Sequence, residues 1–297
     1  MNIRRWLEEN TSSLSGKTVA ISGSTGGLGQ ALCAYLADLG ASLVLVDRCR
    51  ERSEAHRERL ISRNKNISVS CITVELDDPY SVRCAAEELK SYPVDVFICN
   101  AGAYSIPRKI CDSGYDNVFQ INFVSPYMLI EALMPTLRQR DGRVVVVGSV
   151  AHRYSRSDPS DMDFSTRKRA SLVYGNSKRY LMFVLAEKFR DEPKVGFAVT
   201  HPGITFTNIT AHYPKPIFTI IKHLMKVIFP STKKACLSVL RGVFEDTWGE
   251  EWIGPALFDV WGMPKKKKLN SLTAGELEYF RKWSDGNVEK GISGNNE

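Results

Sequence analysis

The chain has 297 residues, of which 43% are apolar, 25% charged and 10% aromatic, and a formal net charge of +7. Those fractions describe an ordinary globular protein long enough to bury a large core, as one large domain or two small ones. The charge fits an anionic cofactor or an acidic surface but is too diffuse for nucleic-acid binding, and no apolar run nears the roughly 20 residues of a membrane span.

Residues 2–10 pattern as a short amphipathic helix around Ile3, Trp6 and Leu7, within an arm of residues 1–14. Such an arm either packs on the core or is exchanged between subunits. Met1 to Gly16 carries Arg4, Arg5, Glu8 and Glu9 and no apolar h-region, so a secretory signal is not expected there. Lys17 to Ser22 reads as a buried strand that runs into Gly23-Ser-Thr-Gly-Gly-Leu-Gly29 and then a helix through Leu39. Strand, glycine-rich turn and helix are the context that gives a dinucleotide motif its meaning. Small residues let the backbone approach a pyrophosphate, and the helix N-terminus meets its charge. Ser22, Gly23, Ser24, Gly27, Leu28 and Gly29 are therefore candidate cofactor residues. The spacing is ambiguous: Gly23, Gly27 and Gly29 fit GxxxGxG, while Gly23, Gly26 and Gly29 fit GxxGxxG.

Ser42 to Val46 is the next strand and Asp47 ends it, 18 residues past Gly29 (47 − 29). A carboxylate at that place accepts hydrogen bonds from an adenosine ribose and repels a 2′-phosphate, which favours NAD. Arg48 follows directly and offers the alternative, pairing with the phosphate of NADP. Ile67 to Val74 is a third strand leading to Glu75 and Leu76. Val94 to Cys99 is a fourth, ending in Asn100-Ala101-Gly102. Tyr115 to Leu133 reads as one long helix carrying Asn122, kinked near Pro126. Arg143 to Gly148 is a fifth strand, with Ser149 at its end, and Ala151 to Ser171 a polar loop. Val195 to Thr200 is a sixth strand, followed by His201-Pro202-Gly203-Ile204 and Thr207. Strands alternating with helices across short turns indicate an α/β fold, a doubly wound parallel sheet of about seven strands in a single domain over 15–283. Ile217 to Phe229 is rich in large apolar residues but holds Lys222, His223 and Lys226. It reads as part of a substrate lid over about 205–230, with an interfacial helix or a subunit contact as alternatives. Ala256 to Trp261 reads as a seventh strand, Lys265 to Lys268 as solvated surface lysines, and 284–297 as a flexible tail.

Tyr174-Gly-Asn-Ser-Lys178 opens a helical stretch in which Leu181, Met182, Val184 and Leu185 recur at helical spacing. Residues four apart share a helix face, so the Tyr174 phenol and the Lys178 ammonium point the same way. A cation beside a phenol favours the phenolate and is expected to lower the tyrosine pKa. Seven cysteines, at 33, 49, 71, 84, 99, 111 and 236, lack CxxC or zinc-finger spacing and are odd in number. Free buried thiols in a reducing, cytoplasmic setting are expected, and no metal site.

Taken together, these residues resemble the short-chain dehydrogenase/reductase family over about residues 15 to 263. The resemblance rests on Ser22-Gly23-x-x-x-Gly27-x-Gly29, Asp47, Asn100-Ala101-Gly102, Asn122, Ser149, Tyr174-x-x-x-Lys178, and Pro202-Gly203 followed by Thr207. The asparagine-alanine-glycine motif and the lack of a second domain match the compact branch. The spacing from Ser149 to Tyr174 is 25 (174 − 149), similar to retinol-dehydrogenase-like members, as is Trp261-Gly-Met-Pro-Lys265. Leu43 to Asp47 and His201-Pro-Gly203 are similar to bacterial NAD-dependent hydroxysteroid dehydrogenases. Ser22 stands where threonine is usual, and Glu75 where aspartate is common near the adenine.

The resemblance implies a Rossmann fold and roles for matching residues. Tyr174 exchanges a proton with the substrate oxygen, Ser149 holds that oxygen, Lys178 binds the nicotinamide ribose, and Asn122 supports a water relay to Lys178. Asn100, Ala101 and Gly102 line the cofactor groove, while Pro202, Gly203, Ile204 and Thr207 hold the carboxamide end. It implies NAD, or else NADP, as cofactor and a homodimer or homotetramer. The leading expectation is an oxidoreductase for a hydrophobic secondary alcohol and its ketone or aldehyde, with hydroxysteroids as candidates. The alternatives are a catalytically silent cofactor-binding scaffold and a retinoid-type reductase held at a membrane surface through 217–229.

Overall fold

The computed structural model describes residues 2–203, 230–247, 251–269 and 272–286. The expected lid, with Ile204 and Thr207, and the tail beyond Gly286 lie outside the described residues. Six strands form the parallel core: β1 (Thr18–Ser22), β2 (Ser42–Asp47), β3 (Val69–Thr73), β4 (Val96–Cys99), β5 (Arg143–Val147) and β6 (Gly196–Thr200). All but β3 are short runs of β-branched and apolar residues buried on both faces, as a sheet covered by helices on both sides requires; β3 is only partly buried. The order across the sheet is β3-β2-β1-β4-β5-β6-β7-β8. Two further strands complete it, β7 (Glu251–Leu257) parallel to β6 and β8 (Trp261–Lys268) antiparallel to β7.

One expectation is corrected here. Residues 258–260 are the turn between β7 and β8, not part of a strand spanning Ala256 to Trp261. Lys265 to Lys268 belong to the edge strand β8, where lysines discourage further strand pairing. The chain runs outward from β1 to β3, then crosses back so that β4 lies on the other side of β1. That reversal opens a crevice beyond the carboxyl ends of β1 and β4, where ligands of such sheets bind.

One face of the sheet is covered by α1 (Ile3–Asn10), α2 (Gly27–Asp38) and α3 (Arg50–Arg63). The other is covered by α4 (Pro79–Leu89), α5 (Ser125–Gln139) and α6 (Ala170–Lys188). The short helices α7 (Thr232–Ala235) and α8 (Leu237–Gly242) complete the first layer, and α9 (Ala274–Gly286) the second. The N-terminal arm packs on its own chain's core: Trp6 is 1% exposed and joins Leu32, Leu36 and Leu43. The expected long helix at Tyr115 to Leu133 is broken differently from the expectation. A turn at Asn117–Phe119 widens into a π-helical segment, Gln120–Val124, before α5 starts. The irregularity therefore precedes Pro126 and contains Asn122. π segments recur at functional sites because they re-aim one side chain.

Helix α9 extends through Gly286, past the expected start of the tail at 284. It packs along α6, where Phe280 and Trp283 join the rings of Phe123, Tyr127, Tyr180 and Phe183. Among the described residues no helix is long and apolar enough to cross a membrane.

Candidate active site

The glycine turn is the first wall of the crevice. Gly23 has φ +71°, and a Cβ there would lie 2.9 Å from Ala101 Cα. A Cβ on Gly29 would lie 2.3 Å from Gly23 O, so β1, the turn and α2 close up only if both positions are glycine. At Gly27 an added Cβ meets only Thr232, at 3.6 Å, and Gly26 and Gly27 are exposed at the start of α2. That first turn has no side-chain cap. Its free N–H groups and open glycines fit an approaching pyrophosphate. The two spacings read from the sequence thus share their outer glycines for packing, and the middle ones leave room.

The second wall is the end of β4. Ser22 Oγ accepts from the N–H groups of Asn100 and Ala101, both at 3.1 Å. The serine therefore does the capping work of the threonine it replaces. Asn100 Nδ2 donates to Ser22 O (3.0 Å) and Gly23 O (2.9 Å), tying β4 to the turn. A Cβ on Gly102 would lie 3.0 Å from Asn122 Oδ1 and 3.4 Å from Lys178 Nζ. Asn122 Oδ1 accepts from Ala103 N (2.8 Å), and its Nδ2 donates to Ala103 O (2.9 Å) and Ser177 Oγ (3.0 Å). The amide thus staples the β4 turn to α6.

Asp47 is placed differently from the expectation. It is only 4% exposed. Its carboxylate accepts from Ser24 Oγ, from Thr25 N (3.1 Å) and Oγ1 (3.0 Å), and from Ser53 Oγ (3.3 Å). It holds the glycine turn from inside. Arg48 beside it is exposed. Glu75 is exposed as well, while Leu76 O accepts from Ser125 Oγ at 2.5 Å, which anchors the β3 turn to α5.

The reactive groups meet at the carboxyl end of β5. The Tyr174 phenol lies close enough to the Ser149 hydroxyl for that group to act on its acidity. Lys178 Nζ lies 5.9 Å from the centre of the Tyr174 ring and donates to Val147 O at 2.9 Å. Tyr104 stands edge-on to Tyr174, their centroids 5.2 Å apart. The expected lowering of the tyrosine pKa is not found. Burial pushes Tyr174 up to about 12, with the Ser149 hydrogen bond pulling the other way. Burial also pulls Lys178 down to about 8. Desolvation outweighs the attraction because the ammonium lies at the ring and bonds a carbonyl instead of the phenol oxygen.

Two glycines that sequence reasoning passed over bring these groups together. A Cβ on Gly148 would lie 2.6 Å from Met182 Sδ, and one on Gly175 2.4 Å from Ala151 O. Both let α6 approach the turn that carries Ser149. A glycine inside an otherwise apolar helix was the available signal for Gly175. Pro202 and Gly203 lie at the end of β6, where Gly203 has φ +80° and donates its N–H to His201 Nδ1 at 3.0 Å. Ends of β1, β2, β4, β5 and β6 thus frame one crevice.

A model of the short chain dehydrogenase family matches residues 17–215. Retinol dehydrogenase 14 of Homo sapiens is 30% identical over 234 residues, which cover 72% of this chain and 69% of that one. Dehydrogenase/reductase SDR family member FEY of Arabidopsis thaliana is 28% identical over 258 residues, 81% of this chain and 68% of that one. Among solved structures, an uncharacterized protein from Mycobacterium Paratuberculosis superposes with a TM-score of 0.75 at 22% identity, covering 97% of this chain and 98% of that one. A short-chain dehydrogenase from Sphingobium yanoikuyae in complex with NADPH gives a TM-score of 0.58, also at 22% identity, covering 76% and 84%. At that identity the two structures show the fold.

Proposed function

The chain belongs to the short-chain dehydrogenase family, whose members are NAD(P)-dependent oxidoreductases, and from that premise we propose that it interconverts a hydrophobic alcohol and its ketone or aldehyde. The observation that carries this reading is the Tyr174 phenol beside Ser149, with Lys178 one helical turn on, at the mouth of the glycine-walled crevice. A bound nicotinamide supplies or takes the hydride. The pyrophosphate fits the uncapped start of α2 beside Gly26 and Gly27, while Asn100, Ala101 and Gly102 line the groove and Lys178 holds the ribose. Asp47 acts at one remove, by fixing Ser24 and Thr25.

The phenol stays protonated at neutral pH, which suits donation to a carbonyl oxygen. Ser149 holds the same oxygen in line, and both groups are fixed before substrate arrives. Asn122 keeps the turn after β4 in register with α6. An apolar substrate is supported by the Tyr104 ring on Tyr174, by the apolar residues of 217–229 in the sequence, and by the retinol named for the human relative. Hydroxysteroids belong to the same size class. A cytoplasmic homodimer or homotetramer completes the reading, and light scattering on the purified protein tests the assembly.

The decisive experiment is a panel of steroid, retinoid and aliphatic carbonyls assayed in parallel with NADH and NADPH. Turnover of at least one apolar carbonyl supports the assignment. Tight cofactor binding without turnover of any carbonyl would replace it with a silent, cofactor-binding role.

A further inference from the structure

The family match ends at residue 215, yet a group far beyond it reaches the turn that carries Ser149. Ser149 opens the 3-10 turn Val150–Tyr154, where its Oγ accepts from Ala151 N at 3.2 Å. The next contacts of that turn are made by buried groups. His152 is fully buried, and its Nδ1–H donates to Ser149 O at 2.6 Å. Arg179, 1% exposed, donates from Nη1 to His152 O at 3.0 Å and from Nη2 to Glu276 Oε1 at 2.6 Å. Glu276 Oε1 also accepts from Ser157 N at 3.0 Å, beyond the far end of the same turn. Its other oxygen caps α9, accepting from Thr273 N at 3.2 Å. The carboxylate therefore bridges α9, α6 and both ends of the segment between Ser149 and Ser157.

We propose that Arg179 and Glu276 are positioning residues, which lock the Ser149 turn onto α6 and so set the alignment of the Ser149 hydroxyl with the Tyr174 phenol. Arg179 sits one residue past Lys178 on α6, and the pair acts through His152 O. A buried ion pair is weak evidence of stability in itself, because desolvation offsets much of the attraction. Its place here, with backbone groups of the Ser149 turn among its partners, gives it a geometric task. Burial pushes the Glu276 carboxyl up, but the Ser157 N–H, Arg179 and the Thr273 N–H outweigh it, so the group stays ionised at neutral pH.

This inference rests on the catalytic reading of Ser149 and Tyr174, and the test separates the two. Glu276→Gln keeps the cap on α9, since glutamine serves there as well as glutamate, and removes the charge that holds Arg179. The carbonyl of the panel that turns over fastest is assayed with NADPH or NADH, whichever supports it. The expected result is a fall in kcat of at least tenfold with cofactor Kd within twofold, and faster amide exchange confined to a peptide over 149–157. In a Ser149→Ala background the same substitution is expected to cost less than twofold, because the group it aligns is gone. Should Glu276→Gln melt below the assay temperature, the double variant Arg179→Met/Glu276→Gln takes its place, since removing both charges leaves none buried alone. An unchanged kcat, or an equal loss with and without the Ser149 hydroxyl, would overturn the proposal while leaving the catalytic reading intact. Full activity of Ser149→Ala alone would instead remove the catalytic reading.

Discussion

Gly29→Ala puts the architecture of the glycine turn to the test. The added methyl would stand 2.3 Å from Gly23 O and 2.8 Å from Ser24 Cα, so the turn must retreat by about 1 Å to restore ordinary contact. That carbonyl is not free to move. It accepts from Asn100 Nδ2 at 2.9 Å and from Gly26 N at 3.3 Å. Losing both bonds costs about 2 kcal/mol, and overpacking adds about 1–3 kcal/mol. Against this, alanine in a helix gains about 1 kcal/mol over glycine. The net is a destabilisation of about 2–4 kcal/mol, visible as a melting temperature several degrees lower. Because the displaced groups form the cofactor wall, affinity for NADH and NADPH should each fall at least about tenfold, a change of about 1.4 kcal/mol. Gly27→Ala is the control. Its methyl meets only Thr232, so the fold should melt no lower than the parent, while the cofactor, which needs that opening, binds more weakly. Thermal melts and titration of cofactor fluorescence read both effects. A Gly29→Ala protein that melts no lower than the parent and binds both cofactors within twofold would refute the reasoning.

Tyr174→Phe should abolish turnover with NADH and NADPH binding unchanged; near-normal turnover would take Tyr174 out of the chemistry. Asp47→Ala should weaken NADH and NADPH alike, because it unties Ser24, Thr25 and Ser53 from the turn. A gain in NADPH use alone would show that Asp47 reads the ribose after all. Arg48→Ala should lower NADPH affinity at least about tenfold, with NADH little changed, if the exposed guanidinium meets the 2′-phosphate; equal loss for both would exclude that role. Lys178→Met should raise the melting temperature of the cofactor-free protein below pH 8. Burial holds the folded pKa of Lys178 near 8, below its ordinary 10.5, so the charged form costs stability below pH 8. That cost fades as pH rises from 8 toward 10.5, where the unfolded chain holds the extra proton. The difference between variant and parent melts should shrink over that window, and a constant difference would contradict the burial argument.

The parallel core was legible because strands covered on both faces are written as nearly continuous apolar runs, as in Val144 to Val147. The rim of the sheet was not. β8 is spelled Trp-Gly-Met-Pro followed by four lysines, a pattern that follows from its edge position and carries no period of its own. The α9 helix was missed, although Thr273-x-x-Glu276 ahead of Leu277, Phe280 and Trp283 is a capping-box signature followed by helical apolar spacing. The residues of the site were readable as types at characteristic spacings, but their electrostatics were not. The sequence puts Tyr174 and Lys178 on one face; only the packing shows that the ammonium reaches Val147 O. Likewise Asp47 stands at the expected place on β2, but whether its carboxylate looks outward depends on Ser24, Thr25 and Ser53, three hydroxyls from two other segments.

The inward turn of Asp47 and the raised pKa of Tyr174 share one physical setting. The crevice walls close through tight contacts at Gly23, Gly29, Gly148 and Gly175. A group sealed in this way titrates according to the few atoms it touches, so a neighbour one helical turn away counts for less than a direct hydrogen bond. For Tyr174 burial pushes the pKa up and the Ser149 hydroxyl pulls it back down. The turn carrying Ser149 therefore governs the acidity of Tyr174 as well as its aim. Ser149→Ala should accordingly move the alkaline limb of the pH–rate profile upward in addition to lowering the rate. A loss of rate with the limb unmoved would mean that the hydroxyl serves only to hold the substrate oxygen.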